Sequence, residues 1–269
     1  MKKCLICSAQ VNFFASTGNL KIYKCPNCGF GFTDQLQVNK GDYHRDEVYI
    51  QEGDLFRNIF QKRVDIINRF AEKGKVLEVG CSTGLMLSLF QKKGWEVTGV
   101  EVSKKAAAVA KKKGLEIITT PFEDIDFNQK FDVVIFNHTL EHLKDPVSAL
   151  QKAAKLLTNR GVLYIDLPNF SSFSANLQNV DWPLLLPNEH MWHFTFDSLN
   201  ILLKKNGFKI VYDERASGIW DLASPLEDLI RAFFGLKKRF FTQILTAIPS
   251  LILTRLKLGS DLMVIAKKA

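Results

Sequence analysis

The chain has 269 residues, 46% of them hydrophobic and 24% charged, with a formal net charge of +8. This is enough for one large domain with small additions around a packed core, and it leaves no case for a chain without a core. The positive balance favours anionic partners, whether phosphate, nucleic acid or an acidic membrane surface, without choosing among them.

The start, MKKCLICSAQ, has no apolar leader core, so the expected compartment is the cytoplasm, where cysteines stay reduced or bind metal. Two CxxC knuckles follow at once, Cys4-Leu-Ile-Cys7 and Cys25-Pro-Asn-Cys28. Four thiolates at this spacing suit a closed tetrahedral zinc site, which is structural because no position is left for a substrate. The spacing predicts a zinc-ribbon-like module over residues 1–41. So short a segment buries too little apolar surface to fold alone, and its metal would supply the stability. Its basic residues are few, Lys2, Lys3, Lys21 and Lys24, so a packing or substrate-facing role is expected at least as much as a nucleic-acid contact.

Beyond Asp42 the pattern changes. Leu55, Ile59, Arg63, Ile66, Ile67 and Phe70 mark one face at helical spacing, and Gly74 closes that segment. Strands are expected over 75–79, 95–102, 115–119, 131–137 and 161–167, with helices over 85–94, 104–114 and 146–157. A later helix over 195–206 has Thr195 as its N-cap. Alternation of this kind implies parallel strands in one open sheet with right-handed crossovers.

In such a sheet, ligands bind beyond the carboxyl ends of the strands, where the strand order reverses. The segment VLEVGCSTG, residues 76–84, makes the first strand-to-helix turn at that rim. Gly80 and Gly84 let the backbone approach a ligand closely. Glu78 stands beside the opening, and Glu101 ends the next strand, where an acid accepts hydrogen bonds from ribose hydroxyls. The turn is not GxGxxG, and a carboxylate two residues before Gly80 repels pyrophosphate. It welcomes a cation or an amino group, which favours a positively charged nucleoside over NAD.

These residues resemble the first motif of the class I S-adenosylmethionine-dependent methyltransferases. VTGVEVS (97–103) is similar to the family's ribose-binding motif. FDVVIFNHTLEHLKDP (131–146) is similar to its fourth strand and the Glu-His-Leu segment after it. LLTNRGVLYIDLPN (156–169) resembles the fifth strand with its preceding glycine turn, and HFTFDSLNILLKKNGFKIV (193–211) the late helix and sixth strand. SDLMVIAKK (260–268) resembles the antiparallel seventh strand.

The resemblance implies a Rossmann-like, doubly wound α/β fold with a seven-stranded sheet, last strand antiparallel, over 42–215 plus 260–269. The zinc ribbon precedes it, and a helical insertion comes before the last strand. The implied cofactor is S-adenosylmethionine, with Glu78, Gly80, Cys81 and Gly84 around its methionine part, Glu101 and Val102 at the ribose, and Asn137 near the sulfonium. Phe122 would stack on adenine, with Glu123 or the backbone accepting from the amine. Ser82 stands where the family often has its middle glycine. Cys81 reads as a small turn residue rather than a nucleophile, since nothing near it in sequence would lower its pKa.

On the acceptor side the candidates gather in Pro187-Asn188-Glu189-His190-Met191-Trp192-His193. Glu189-His190 resembles the Tyr-x-Glu-His motif of sugar C-methyltransferases that carry an N-terminal cysteine-rich zinc module, with Pro187 in the tyrosine's place. That implies catalytic roles for Glu189, His190 and His193, with His190 the natural base. The other reading is that His190 and His193 brace the loop ahead of the 195–206 helix. His142 is read as structural or cofactor-adjacent.

Residues 216–259 form the insertion. Its apolar stretch lies between Lys237, Lys238 and Arg239 on one side and Arg255 and Lys257 on the other. It is too short to span a bilayer. It suits a helical lid over the acceptor pocket or an interfacial helix pair resting on the inner face of an anionic membrane. The expected acceptor is a small molecule, a sugar or glycoconjugate, lipid-linked if the insertion meets a membrane. RNA or protein methylation is the rival within enzymes, with nucleic acid the less favoured partner. A zinc-ribbon binding protein with an inert nucleotide fold is the alternative of another class.

Overall fold

The computed structural model describes residues 2–34, 53–217, 233 and 248–269. The boundary at 41/42 and the parts of the expected insertion over 218–232 and 234–247 lie outside the described residues.

The body is a sheet of seven strands. They are β4 (Lys75–Val79), β5 (Glu96–Val100), β6 (Glu116–Ile118), β7 (Phe131–Asn137), β8 (Leu157–Pro168), β10 (Phe208–Glu214) and β11 (Asp261–Lys268). Their order is β10-β11-β8-β7-β4-β5-β6. β4 pairs in parallel with both β5 and β7, and β7 with β8, whereas β11 runs antiparallel to β8 and β10. The order therefore reverses at β4 and β7, and the last strand is antiparallel as the sequence led us to expect.

Helices cover both faces, which is why the strands read as near-continuous apolar runs. On one face α1 (Gly53–Ile67), α2 (Leu85–Lys92) and α3 (Lys104–Lys112) bury Val64, Ile67, Leu87, Phe90, Ala107 and Ala110 against Val76, Val133 and Ile135. On the other, α4 (Pro146–Leu156) and α6 (Phe196–Lys205) bury Leu150, Ala153, Leu199 and Leu203 against Leu77, Val134 and Leu163. Successive residues of one strand thus serve opposite cores, as the pleat requires. Thr195 is the cap the sequence announced, and Asp145 is one it did not. Asp145 accepts from the amides of Val147 and Ser148 ahead of α4, and Thr195 and Ser198 form a reciprocal capping box on α6.

One strand differs from expectation. β8 begins at Leu157 rather than 161, and its pairing with β7 jumps from Phe131↔Leu157 to Val133↔Val162. The expected glycine turn is absorbed as a bulge-like irregularity within the ladder.

The N-terminal residues make β1 (Asn12–Thr17), β2 (Leu20–Lys24) and β3 (Gly31–Asp34), and the fourth strand of this small sheet is β9 (Trp192–His193), from the body of the chain. Gly31 pairs with His193 and Phe32 with Trp192. Phe30, fully buried, stacks on Trp192 at 5.8 Å and meets Phe194 edge-on at 5.3 Å. The Thr195 hydroxyl donates to the Cys28 carbonyl at 2.8 Å. These contacts pack the module against the body of the chain. After the undescribed insertion residues the chain is helical over 248–255. Past the end of this helix, Leu258 O accepts from Phe173 N at the start of α5 (Phe173–Gln178) at 2.9 Å. Among the described residues no helix is long and apolar enough to cross a membrane.

The antiparallel corner is held by one cation. Arg63 of α1, 1% exposed, sits with Nε 3.1 Å from Asp166 of β8, Nη1 2.9 Å from Glu214 of β10 and Nη2 2.9 Å from Asp261 of β11. Tyr164 Oη donates to Asp166 at 2.7 Å. Removing one partner of a buried ion pair costs about 3–5 kcal/mol, because the charge left behind is uncompensated. Arg63→Met should therefore lose that much in urea unfolding, and Arg63→Met with Asp261→Asn should lose less. Equal or additive losses would show that the two charges do not compensate each other.

Candidate functional site

The rim is built from the ends of β4, β5 and β7. After Val79 the chain turns back over β5, with Gly80 N and Cys81 N both donating to Val100 O at 2.8 and 3.1 Å. Thr139, just past β7, donates from its hydroxyl to Val79 O at 2.9 Å. Gly80 has φ +72, and a Cβ there would lie 2.5 Å from the Thr139 hydroxyl oxygen. The position therefore needs glycine for both conformation and space. Ser82, in the middle-glycine position, also takes a left-handed conformation, φ 44. The loop keeps the glycine shape there with a residue that is less at ease in it.

Glu101 fixes this loop. One carboxylate oxygen accepts from Ser82 N at 2.8 Å and the other from Ser103 N at 2.7 Å, joining the β4–α2 turn to the start of α3. Glu78 is 2% exposed, and one of its oxygens has no hydrogen-bond partner among the described residues. Burial pushes its pKa well above the usual carboxylate range, and the neighbouring Glu101 pushes it the same way. Cys81 is 5% exposed, and its sulfur packs where a Cβ on Gly99 would stand. Burial, then Glu78 and Glu101, push its thiol well up, so it is a packing residue of the turn and no nucleophile. Asn137, 8% exposed, ends β7 one strand away, and Val102 offers an exposed apolar side chain beside Glu101. Glu78, Gly80, Cys81, Gly84, Glu101, Val102 and Asn137 thus share one rim.

Phe122 is the exception. It is 2% exposed, meets Phe136 edge-on at 5.8 Å, and has the Lys152 ammonium 5.0 Å from its ring centre. The ring is enclosed in the core and has no open face for an adenine to stack on. Glu123, next to it in a short turn after β6, is exposed.

The acceptor-side histidines are also placed otherwise than a base requires. His193, 4% exposed, shares a hydrogen bond with the Thr33 hydroxyl through Nε2 at 2.9 Å. Burial lowers its pKa to about 3, against a small opposing pull from Glu141. His190, 1% exposed, packs edge-on against His142 at 4.7 Å. Met191 N donates to Glu141 O, and Thr33 N to Met191 O, both at 3.0 Å. Both histidines brace the segment between the module and the end of β7, and neither is open to an acceptor. Of the three residues assigned to catalysis, Glu189 alone is partly exposed.

Glu141 was not singled out by sequence reasoning. It is 1% exposed, with His138 Nδ1 at 3.5 Å and His142 and His190 Nε2 each at 4.0 Å. Burial opposes its ionisation, but the surrounding imidazoles outweigh that and lower its pKa to about 2. In the module, Cys4 and Cys28 sulfurs lie 3.6 Å apart and those of Cys7 and Cys25 3.4 Å apart, with all four within 4.8 Å of one another. Sulfurs about 2.3 Å from a tetrahedral zinc stand about 3.8 Å apart, so the cluster fits that ion.

A family model described as a methyltransferase domain matches residues 52–213. A ubiquinone biosynthesis O-methyltransferase of Actinobacillus pleuropneumoniae serotype 7 is 37% identical over 107 residues, covering 35% of this chain and 46% of the relative. The chain spans about half the length of the first curated relatives it matches. Among solved structures, the CcbJ methyltransferase of Streptomyces caelestis superposes with a TM-score of 0.58 at 14% identity, covering 86% of this chain and 98% of that one. The plantazolicin methyltransferase BamL, solved in complex with a substrate analogue and SAH, has a TM-score of 0.56 at 18% identity, covering 82% and 88%. At these identities the two structures support the fold.

The rim loop yields a direct test. Gly114 also has positive φ, +77, but a Cβ there meets nothing within 4 Å. Gly114→Ala should cost only the backbone term, about 1 kcal/mol, whereas Gly80→Ala should cost about 1–3 kcal/mol more through its clash with Thr139. Equal losses in chemical unfolding would mean that the loop is not held against β7.

Proposed function

Because the chain belongs to the methyltransferase-domain family, with residues 52–213 matched, we propose that it transfers a methyl group from S-adenosylmethionine to a small-molecule acceptor. The observation that carries this reading is Glu78, a buried carboxylate with an unpartnered oxygen beside a second carboxylate at the strand-order reversal. Such a group is costly until a cation or an ammonium meets it. A sulfonium nucleoside with an amino-acid tail supplies both. Gly80, Cys81 and Gly84 bring backbone to the methionine part. Glu101, its oxygens already oriented by two amides, faces the ribose beside Val102. Asn137 lies toward the sulfonium and Glu123 toward the adenine amine.

Methyl transfer from a sulfonium is an in-line displacement at carbon, and the donor is already activated by its charge. The chain's part is to align the acceptor and keep water out. With His190 and His193 held as braces, Glu189, partly exposed on the same segment, is the group to which we assign receipt of a proton.

We place a sugar or glycoconjugate first among acceptors. Its support is the cysteine module joined, through β9, to the segment bearing Glu189. The ubiquinone biosynthesis and plantazolicin methyltransferases carry other acceptors in their names. Zinc in the four-cysteine cluster holds that module together, and Ile6 N, 3.4 Å from the Cys4 sulfur, supports a thiolate there. The described end of the insertion exposes Ile248, Leu251, Ile252 and Leu256 beside Arg255 and Lys257, which suits an acceptor carrying a lipid.

Two results follow. Glu78 must be ionised to hold a cation, and its pKa is raised, so cofactor affinity should weaken as pH falls through that raised value. Glu78→Gln should weaken S-adenosylmethionine binding about 10–100-fold by calorimetry, the loss expected for a charged hydrogen bond. Glu189→Gln should leave that affinity intact and slow turnover. An affinity unmoved by pH and by Glu78→Gln would overturn the site. Separately, metal analysis should find zinc in the purified chain, reduced by one equivalent in Cys25→Ser. Unchanged zinc in that variant would remove the module's metal.

A further inference from the structure

We propose that Glu141, His142 and His190 form a second metal site, for a divalent transition-metal ion of the zinc type, distinct from the cysteine cluster. The argument begins with Glu141. Its carboxylate lies on a short turn over Leu140–His142, 1% exposed, and among the described residues neither oxygen has a hydrogen-bond partner. An ionised carboxylate buried in that way carries a desolvation penalty of several kcal/mol. The imidazole nitrogens around it stand at 3.5–4.0 Å, beyond the hydrogen-bond range.

The orientation of His142 points the same way. Its Nδ1 lies 3.0 Å from the Glu189 carbonyl oxygen, which can only accept, so that nitrogen bears the hydrogen. In the neutral ring, Nε2 then turns a lone pair toward the Glu141 carboxylate. Two lone pairs facing each other repel unless a cation stands between them. A ring nitrogen donating to a backbone carbonyl, which fixes the tautomer and the ring's direction, is the usual support of a metal-bound histidine. His190 brings its Nε2 to the same oxygen from the segment after α5.

One donor atom from each of the three residues lies within 4.8 Å of the others. Donors about 2.1 Å from a tetrahedral ion stand about 3.4 Å apart, so each imidazole nitrogen, now 4.0 Å from the Glu141 oxygen, needs to close on it by about half an ångström. Two imidazoles and one carboxylate select zinc or a similar first-row ion over magnesium or calcium. The neighbouring group His138, Asp166 and Asp261 has a comparable spacing, but the Arg63 guanidinium already stands between its carboxylates. That cluster has its cation. Among the described residues, Glu141 pairs with no lysine or arginine, and its ionic neighbours are imidazoles. An ion there would tie the segment that carries β9 and Glu189 to the end of β7, next to Asn137.

The test uses the full chain loaded with cobalt(II) in place of its native metal. Thiolate ligation gives intense near-ultraviolet charge-transfer bands, whereas nitrogen and oxygen ligation gives only weak visible bands. The expected result is two equivalents bound, with Cys25→Ser keeping the weak visible bands and one equivalent. His142→Ala, at a side chain 14% exposed, should keep the thiolate bands and lose the other ion. Its affinity for that ion should fall about 100-fold, since even supporting residues cost about 10–100-fold. Wild-type stoichiometry needs no variant to fold. One equivalent with thiolate bands as the whole spectrum would overturn the site, as would an unchanged second affinity in His142→Ala. S-adenosylmethionine titrated into the same samples separates this outcome from the proposed function. Cofactor binding without a second ion defeats only the metal site.

Discussion

A single buried guanidinium sets the frame. Arg63 reaches from α1 to Asp166, Glu214 and Asp261, and so clamps one helix to three neighbouring strands at the corner where the sheet turns antiparallel. The strands β8 and β11 are among the most apolar in the chain, and a carboxylate in either would be untenable without this partner. Burial and the facing Asp261 push Asp166 up to about 7, while Arg63 pulls it back. The corner is therefore specified by charge as well as by packing. β8 leads from it to the rim, where its end lies beside that of β7.

Much of this was legible in the sequence, for identifiable reasons. The parallel strands are buried on both faces, so they appear as short apolar runs, and β4 and β7 were placed to the residue. Thr195 marked the start of α6 because its side chain has a specific backbone amide to satisfy. What escaped was the set of charges that act through space. Arg63 was visible as a cation within an apolar helical face, and Asp166 and Asp261 as acids within or at the head of apolar strands. Each was an anomaly whose explanation lay far away in sequence. Phe122 failed in the opposite direction. An aromatic after a strand end looks like a stacking platform, but its neighbours Phe136 and Lys152 come from elements whose packing no local pattern reveals.

The rim combines a rigid and an unsatisfied acid within a few residues. Glu101 spends its oxygens on two backbone amides and so shapes the loop. Glu78, deeper and with a free oxygen, holds no such bond there and is the one with energy to release on meeting a cation. The same strand end can therefore be pre-organised and still gain from binding. If both acids were bonded the site would be inert, and if neither were the loop would lose its shape.

The same division recurs on the acceptor side. Residues 190–195 belong at once to three structures. His190 lies against Glu141 at the end of β7, Trp192 and His193 complete the sheet of the cysteine module, and Thr195 caps α6 while bonding to Cys28. A segment shared in this way cannot shift without disturbing all three. That explains why Glu189 and His190, read from the sequence as one pair, have different surroundings. The backbone needed to hold His190 in the core turns Glu189 the other way, toward the surface, and rigid support for one residue becomes exposure for its neighbour. The cysteine module holds this segment taut through β9 and the Thr195–Cys28 bond, so whatever stabilises the module bears on where Glu189 stands.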